Sequence, residues 1–177
     1  MRVFLLCLTF LVGLLSYAQP ANDNCASATA LTVDAPLVCS QTTSAATAQG
    51  GEYCAAAGGG ITPRTVWYSF VATNTTMVLN LIRTNTTNCF GRVSVYGPNA
   101  ACVPGVGTAI FDCVILNGDP GVFQALTGLT VGATYRIQYN GQDCGGGNDR
   151  AHQFCVGIYN PASNNSVGNG TVIDACG

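Results

Sequence analysis

Lysine is missing from these 177 residues, while glutamate occurs once, at Glu52, and histidine once, at His152. Charged side chains make up only 8% of the chain, six arginines against eight acids, for a formal net charge of -2. A surface so poor in cations offers little to phosphate backbones or anionic lipid, which argues for no nucleic acid partner and makes acidic membranes poor partners. Solubility falls instead to Thr, Asn, Ser and Gln, and the low charge leaves self-association unopposed. With a single imidazole, any Ser-His-Asp or Cys-His arrangement must run through His152, and no G-x-S-x-G elbow accompanies it. The seven aspartates are scattered singly, so a glycosidase carboxylate pair has no local motif. No two cysteines form a C-x-x-C pair, which removes zinc ribbons and thioredoxin-type redox chemistry. These absences read as a protein that is not an enzyme, with His152 a partly exposed strand histidine.

What is present begins with a leader. Arg2 precedes an apolar run over 3–15, and Ser16-Tyr17-Ala18 supplies small residues at the minus-three and minus-one positions of a cut after Ala18. That order is a secretory signal over 1–18, its apolar part too short to span a bilayer comfortably. No later stretch reaches membrane length, so the mature chain is expected to be soluble and secreted, at the cell surface or beyond it. Ten cysteines less Cys7 leave nine: Cys25, Cys39, Cys54, Cys89, Cys102, Cys113, Cys144, Cys155 and Cys176. An exported chain so rich in cysteine is a disulfide-stapled one. Closure of short loops suggests Cys25 with Cys39, Cys102 with Cys113, Cys144 with Cys155, and Cys54 with Cys89. Cys176 is then the odd one.

No segment holds helical periodicity. Short stretches rich in Val, Ile, Thr, Tyr and Phe alternate with Gly/Asn/Asp/Pro clusters and predict strands over 30–33, 65–72, 76–83, 92–96, 108–116, 123–126, 134–140 and 152–159. Short strands without helices make a β-sandwich. In the strand over 134–140, Tyr135, Ile137 and Tyr139 share a face meant for the core, while Thr134, Arg136 and Gln138 face water. The strand over 76–83 is apolar on both faces except at Asn80, which places it centrally. Val66, Trp67 and Phe70 are core residues rather than a ligand platform. Turns are signalled by Asn117-Gly118-Asp119-Pro120-Gly121 and by the run over 126–132. The domain occupies 19–161, and 162–177 is a polar linker ending in a short β-prone strand, an extended C-terminal tail.

The succession PANDNCASATALTV, TVWYSFVA, VSVYG with a cysteine-closed loop, LTGLTVGATYRIQY and FCVGIYNP resembles the pre-peptidase C-terminal-like (PPC-like) β-sandwich modules of bacterial surface proteins exported by type IX secretion. The likeness runs over about 21–161. It implies a jelly-roll-like sandwich of seven to nine strands, found repeated or appended in adhesins and secreted hydrolases and not itself catalytic. The terminal IDACG is similar to NDNC at 22–25, as the opening of a following repeat would be.

Two features carry the functional expectations. The loop over 140–152 gathers Asp143, Asn148 and Asp149 around three glycines, an oxygen-donor set of the kind calcium takes, although such clusters also form ordinary turns and Arg136 or Arg150 could pair with the acids. No other cofactor is indicated. Val172, Ile173 and Cys176 form a terminal segment that could fold back, bond to the Cys176 of a twin, or add as a strand to a neighbouring sandwich. The leading expectation is a non-catalytic module for cell-surface adhesion or extracellular assembly, a homo-oligomer or fibre subunit linked through that strand and Cys176. The alternative is an accessory module that binds carbohydrate, as a surface glycan, or calcium. Asn74, Asn85, Asn164 and Asn169 each open an N-x-S/T triplet, which has meaning only in a eukaryotic host.

Overall fold

A computed structural model describes residues 18–47, 64–85, 91–98, 102, 109–116, 121–141 and 151–163, with backbone alone for 109, 111–116, 121 and 122. The only helical element among them is a 3-10 turn, Cys25–Ser27, whose Ala26 N–H donates to the Asn24 side chain at 3.1 Å. Nine strands follow: β1 Thr29–Ala30, β2 Val38–Thr42, β3 Thr65–Val71, β4 Thr76–Arg83, β5 Gly91–Tyr96, β6 Ala109–Leu116, β7 Gly121–Thr127, β8 Thr134–Gly141 and β9 Gln153–Tyr159. They form two sheets, β1-β3-β8-β5-β6 and β2-β9-β4-β7. All pairings are antiparallel except β1 with β3. The expected all-β sandwich is the fold. No helix among the described residues is long and apolar enough to cross a membrane.

Alternation builds the core between the sheets. Val66, Tyr68 and Phe70 of β3 and Tyr135, Ile137 and Tyr139 of β8 point inward from one sheet. They meet Met77, Leu79 and Leu81 of β4 and Phe154, Val156 and Ile158 of β9. Phe70 stacks on Tyr135 at 5.5 Å, and Tyr139 lies 4.4 Å from Phe154, so aromatic contacts tie neighbours within a sheet and across the sandwich. The turn before β8 is the one its residues signalled. Gly128 and Gly132 take positive φ, and Gly132 N–H reaches Ala72 O at 2.8 Å, closing the turn onto the end of β3.

Three sequence expectations are corrected. The strand expected over 30–33 is only Thr29–Ala30, because the chain leaves the first sheet after Leu31 N–H bonds Ser69 O. Asp34, at φ 61, then straps the crossing to the second sheet: its N–H donates to Ile158 O and its carboxylate accepts from Asn160 N–H at 2.8 Å. The second correction is β2, which the pattern gave no reason to expect. VCSQT has no alternation, and its ladder with β9 is irregular between Val38 and Gln41.

The third concerns β8, whose outward face was expected to be wet. Gln138 and Asn140 are both 1% exposed. Trp67 and Tyr96, on the strands either side, form a second apolar cluster with Cys25 over this face, with Ala28 and Cys102 packed against it. Gln138 Oε1 accepts from Tyr96 Oη at 2.6 Å, and Asn140 Oδ1 accepts from Arg64 N–H at 3.2 Å, so the buried amides keep partners. Trp67 is therefore buried as expected, but outside the main core.

The disulfides overturn the short-loop pairings. Cys25 is bonded to Cys102 and Cys39 to Cys155, separations of 77 and 116 residues. Cys25 thus takes neither Cys39, nor Cys102 Cys113, nor Cys155 Cys144. The sheet order explains this: β2 lies beside β9, which brings Cys39 to Cys155 whatever the chain length between them. The pairing of Cys54 with Cys89, residues 1–17 of the leader and the segment 164–177 lie outside the described residues.

Candidate interaction surface

On the outward face of the four-stranded sheet, Gly157 of β9, Asn80 of β4 and Phe123 of β7 lie opposite one another in a single cross-strand row. A Cβ at Gly157 would come within 2.9 Å of Leu37 Cδ2 and 3.0 Å of Tyr159 Oη, so glycine is what lets both side chains close over the sheet there. Asn80 is 0% exposed, and among the described residues neither carboxamide atom has a hydrogen-bond partner; the same holds for Tyr159 Oη. Burial, and after it the Asp34 carboxylate, raises the Tyr159 phenol above its ordinary range. At the end of the row Phe123 is 57% exposed on an edge strand. One side of β7 pairs with β4, and among the described residues no strand pairs with the other.

An amide desolvated without compensation is a cost. Asn80→Leu, which keeps the branched shape and replaces the two amide atoms by methyl groups, should therefore raise stability by about 1 kcal/mol. Urea unfolding of the variant checks this. A loss of stability would mean that the carboxamide has a partner, such as an ordered water, in solution.

His152 precedes β9 and is 0% exposed, not partly exposed as its sequence suggests. Its N–H donates to Thr43 Oγ1 and its C=O accepts from Thr43 N–H, each at 3.0 Å. Its Nδ1 lies 2.6 Å from Tyr139 Oη, while Nε2 has no partner among the described residues. Burial, with the Arg83 charge second, lowers the imidazole to about 4, so it is neutral at ordinary pH. A neutral ring accepting from Tyr139 carries its proton on Nε2, inside the protein. Among the described residues its hydrogen bonds go to Tyr139 and Thr43, and the buried ring lacks the solvent access of an exposed base.

The other sequence candidates divide sharply. Cys25, Cys39, Cys102 and Cys155 are disulfide-bonded. Cys113 falls on β6, where only the backbone is described. Cys54, Cys89, Cys144, Asp143, Asn148, Asp149, Val172, Ile173 and Cys176 lie outside the described residues. Among the described residues no group of three or more His, Cys, Asp or Glu could hold a metal ion. Two of the N-x-S/T asparagines are engaged: Asn74 donates to Asn160 Oδ1 at 3.1 Å, and Asn85 donates to Ala151 O at 2.7 Å. The Asn80 row was legible only as one polar residue in an apolar strand, and Phe123 only as the start of a short strand. Their juxtaposition depends on the order β9-β4-β7. No protein-family model, no curated protein and no solved structure matches this chain.

Proposed function

We propose that this chain is an exported, non-catalytic β-sandwich module for extracellular assembly or cell-surface adhesion, a subunit that links to its neighbours. The observation that carries the reading is β7, an edge strand with Phe123 exposed and no described strand on its outer side. Such an edge is a template for pairing unless it is guarded by charge, proline or a bulge, and none of these occurs in GVFQALT. The two long-range disulfides fit an oxidising compartment, and a fully buried His152 fits a module without hydrolytic chemistry. The likeness to PPC-like modules of type IX-exported proteins points the same way. In this reading the terminal strand with Val172 and Ile173 reaches a neighbour and Cys176 fastens it covalently.

The test is electrophoresis of the secreted protein without reductant. The expected result is a ladder of oligomers that collapses with thiol and is lost in Cys176→Ser. Monomer alone under both conditions, together with a monomeric mass in solution, would end the assembly reading.

A second reading is favoured by one feature. Phe123 presents an aromatic ring that is 57% exposed on the outward face of the sheet, the flat apolar surface on which a sugar ring stacks. Saturable heat on titration with glycans, absent in Phe123→Ala, would support it. Calcium, the other ligand of this class, would bind at Asp143, Asn148 and Asp149 and belongs in the same titration.

A further inference from the structure

From the outer edge of β7 we infer a contact separate from the tail: two copies of this chain pair their β7 strands antiparallel about a two-fold axis at Gln124, joining their four-stranded sheets into one. The inference rests on the assembly reading and names a second surface, beside the tail, by which subunits meet.

The occupant follows from the strand itself. Gly121–Thr127 has no charged residue, so two copies can approach edge to edge with no like charge to separate. A foreign partner selected by charge has nothing on this strand to recognise. Residues directly opposite in an antiparallel pair lie on the same face of the sheet, so an outward residue must meet an outward residue. With the axis at Gln124 all seven residues of the strand overlap, and Phe123 of each copy meets Ala125 of the other. Both positions are exposed in the single chain, and Phe123 at 57% is the largest exposed aromatic surface on this sheet. A large ring against a methyl group fills the cross-strand space on both sides of the axis, whereas shifting the axis to Phe123 sets ring against ring and shortens the overlap. Inward, Leu126 is 2% exposed and stays committed to its own core, so the contact needs no unfolding. One strand edge and two aromatic rings make a contact below the size of stable interfaces, which predicts weak, reversible dimers. A closed two-fold contact of this kind, alternating with a covalent link through the tail, is also how identical subunits would extend into a fibre.

The experiment is sedimentation equilibrium over a range of protein concentrations, using disulfide-intact protein carrying Cys176→Ser, so that the tail link is absent. Three chains are compared: that background alone, with F123K and A125K, and with F123E and A125K. The two-fold register places residue 123 against residue 125 of the other copy. The lysine pair then puts like charges opposite each other twice and should weaken dimerisation more than about tenfold. The glutamate and lysine pair puts opposite charges together and should retain it. Both positions are exposed on an edge strand, so thermal unfolding of the three chains should agree, which separates a lost contact from a lost fold.

A background chain that stays monomeric overturns the contact, and if wild type still ladders the assembly reading survives it. Dimers unaffected by either double substitution also overturn it, and show association through another surface, the terminal strand included. Loss of dimer in both double variants overturns the register and with it the proposed axis.

Discussion

Removing both sulfurs of the Cys39 to Cys155 bridge, as the double alanine variant, should lower the stability of the folded chain by about 3 to 4 kcal/mol. The bridge spans 116 residues, from an edge strand near the start of the domain to the last strand. Tying such distant points together removes much of the unfolded chain's freedom, and for a loop on the order of 100 residues the entropic account gives nearly 5 kcal/mol. The Cys25 to Cys102 bridge constrains the same chain and shortens the free loop, so the full value is not expected for either alone. For a domain of this size the loss corresponds to a fall of roughly 10 °C in Tm. Scanning calorimetry on the oxidised wild type and the variant reads it directly. The effect has a local component too: β2 is short, irregular and, among the described residues, joined to the sheet on one side only, so without the bridge it should fray first. Hydrogen exchange confined to 38–42 would show this, and an unchanged Tm would show that β2 is held without the bond.

The second large effect is in acid. His152 in the folded state titrates at about 4, below the 6.5 of an exposed imidazole. The unfolded chain therefore takes the proton first. Stability is fully present above about pH 6.5, falls as the pH drops from there to about 4, and stops falling on this account once both states are protonated. A gap of this width corresponds to about 3 kcal/mol, to order of magnitude. The cause is structural: a charged ring at this position would sit fully buried beside Tyr139 with the Arg83 charge nearby. Few other groups can imitate the effect, since the chain has one histidine and few acids. Urea unfolding of wild type and His152→Gln across that interval isolates it. The two curves should converge toward low pH, and parallel curves would mean that the imidazole is solvated or ionically paired in the folded protein.

How much of this was legible beforehand is clearest strand by strand. The residues of β4 alternate Met77, Leu79, Leu81 against Val78, Asn80, Ile82, and its observed span, Thr76–Arg83, is the one the pattern predicts. The same holds for the turn before β8, where the glycines take the conformation their positions demand. The β2 segment carried no such signal, because an edge strand has only one neighbour and little buried face to impose a pattern. Asn80 stood out at once as polar among apolar residues, yet nothing local says that its amide would be buried beside Tyr159 and in line with Phe123. That alignment is a property of three strands drawn from residues 76 to 159.

By itself, then, the sequence determined a helix-poor, sulfur-rich, weakly charged chain that folds as two packed sheets. Period-two alternation and turn residues act between near neighbours, and those interactions are written in order along the chain. The tertiary structure alone decided which cysteines meet, that the outward side of β8 is covered, that His152 is sealed in, and that β7 is left at the edge. Each depends on sheet order, which brings together groups 77 or 116 residues apart, where spacing along the chain carries no information about distance in space.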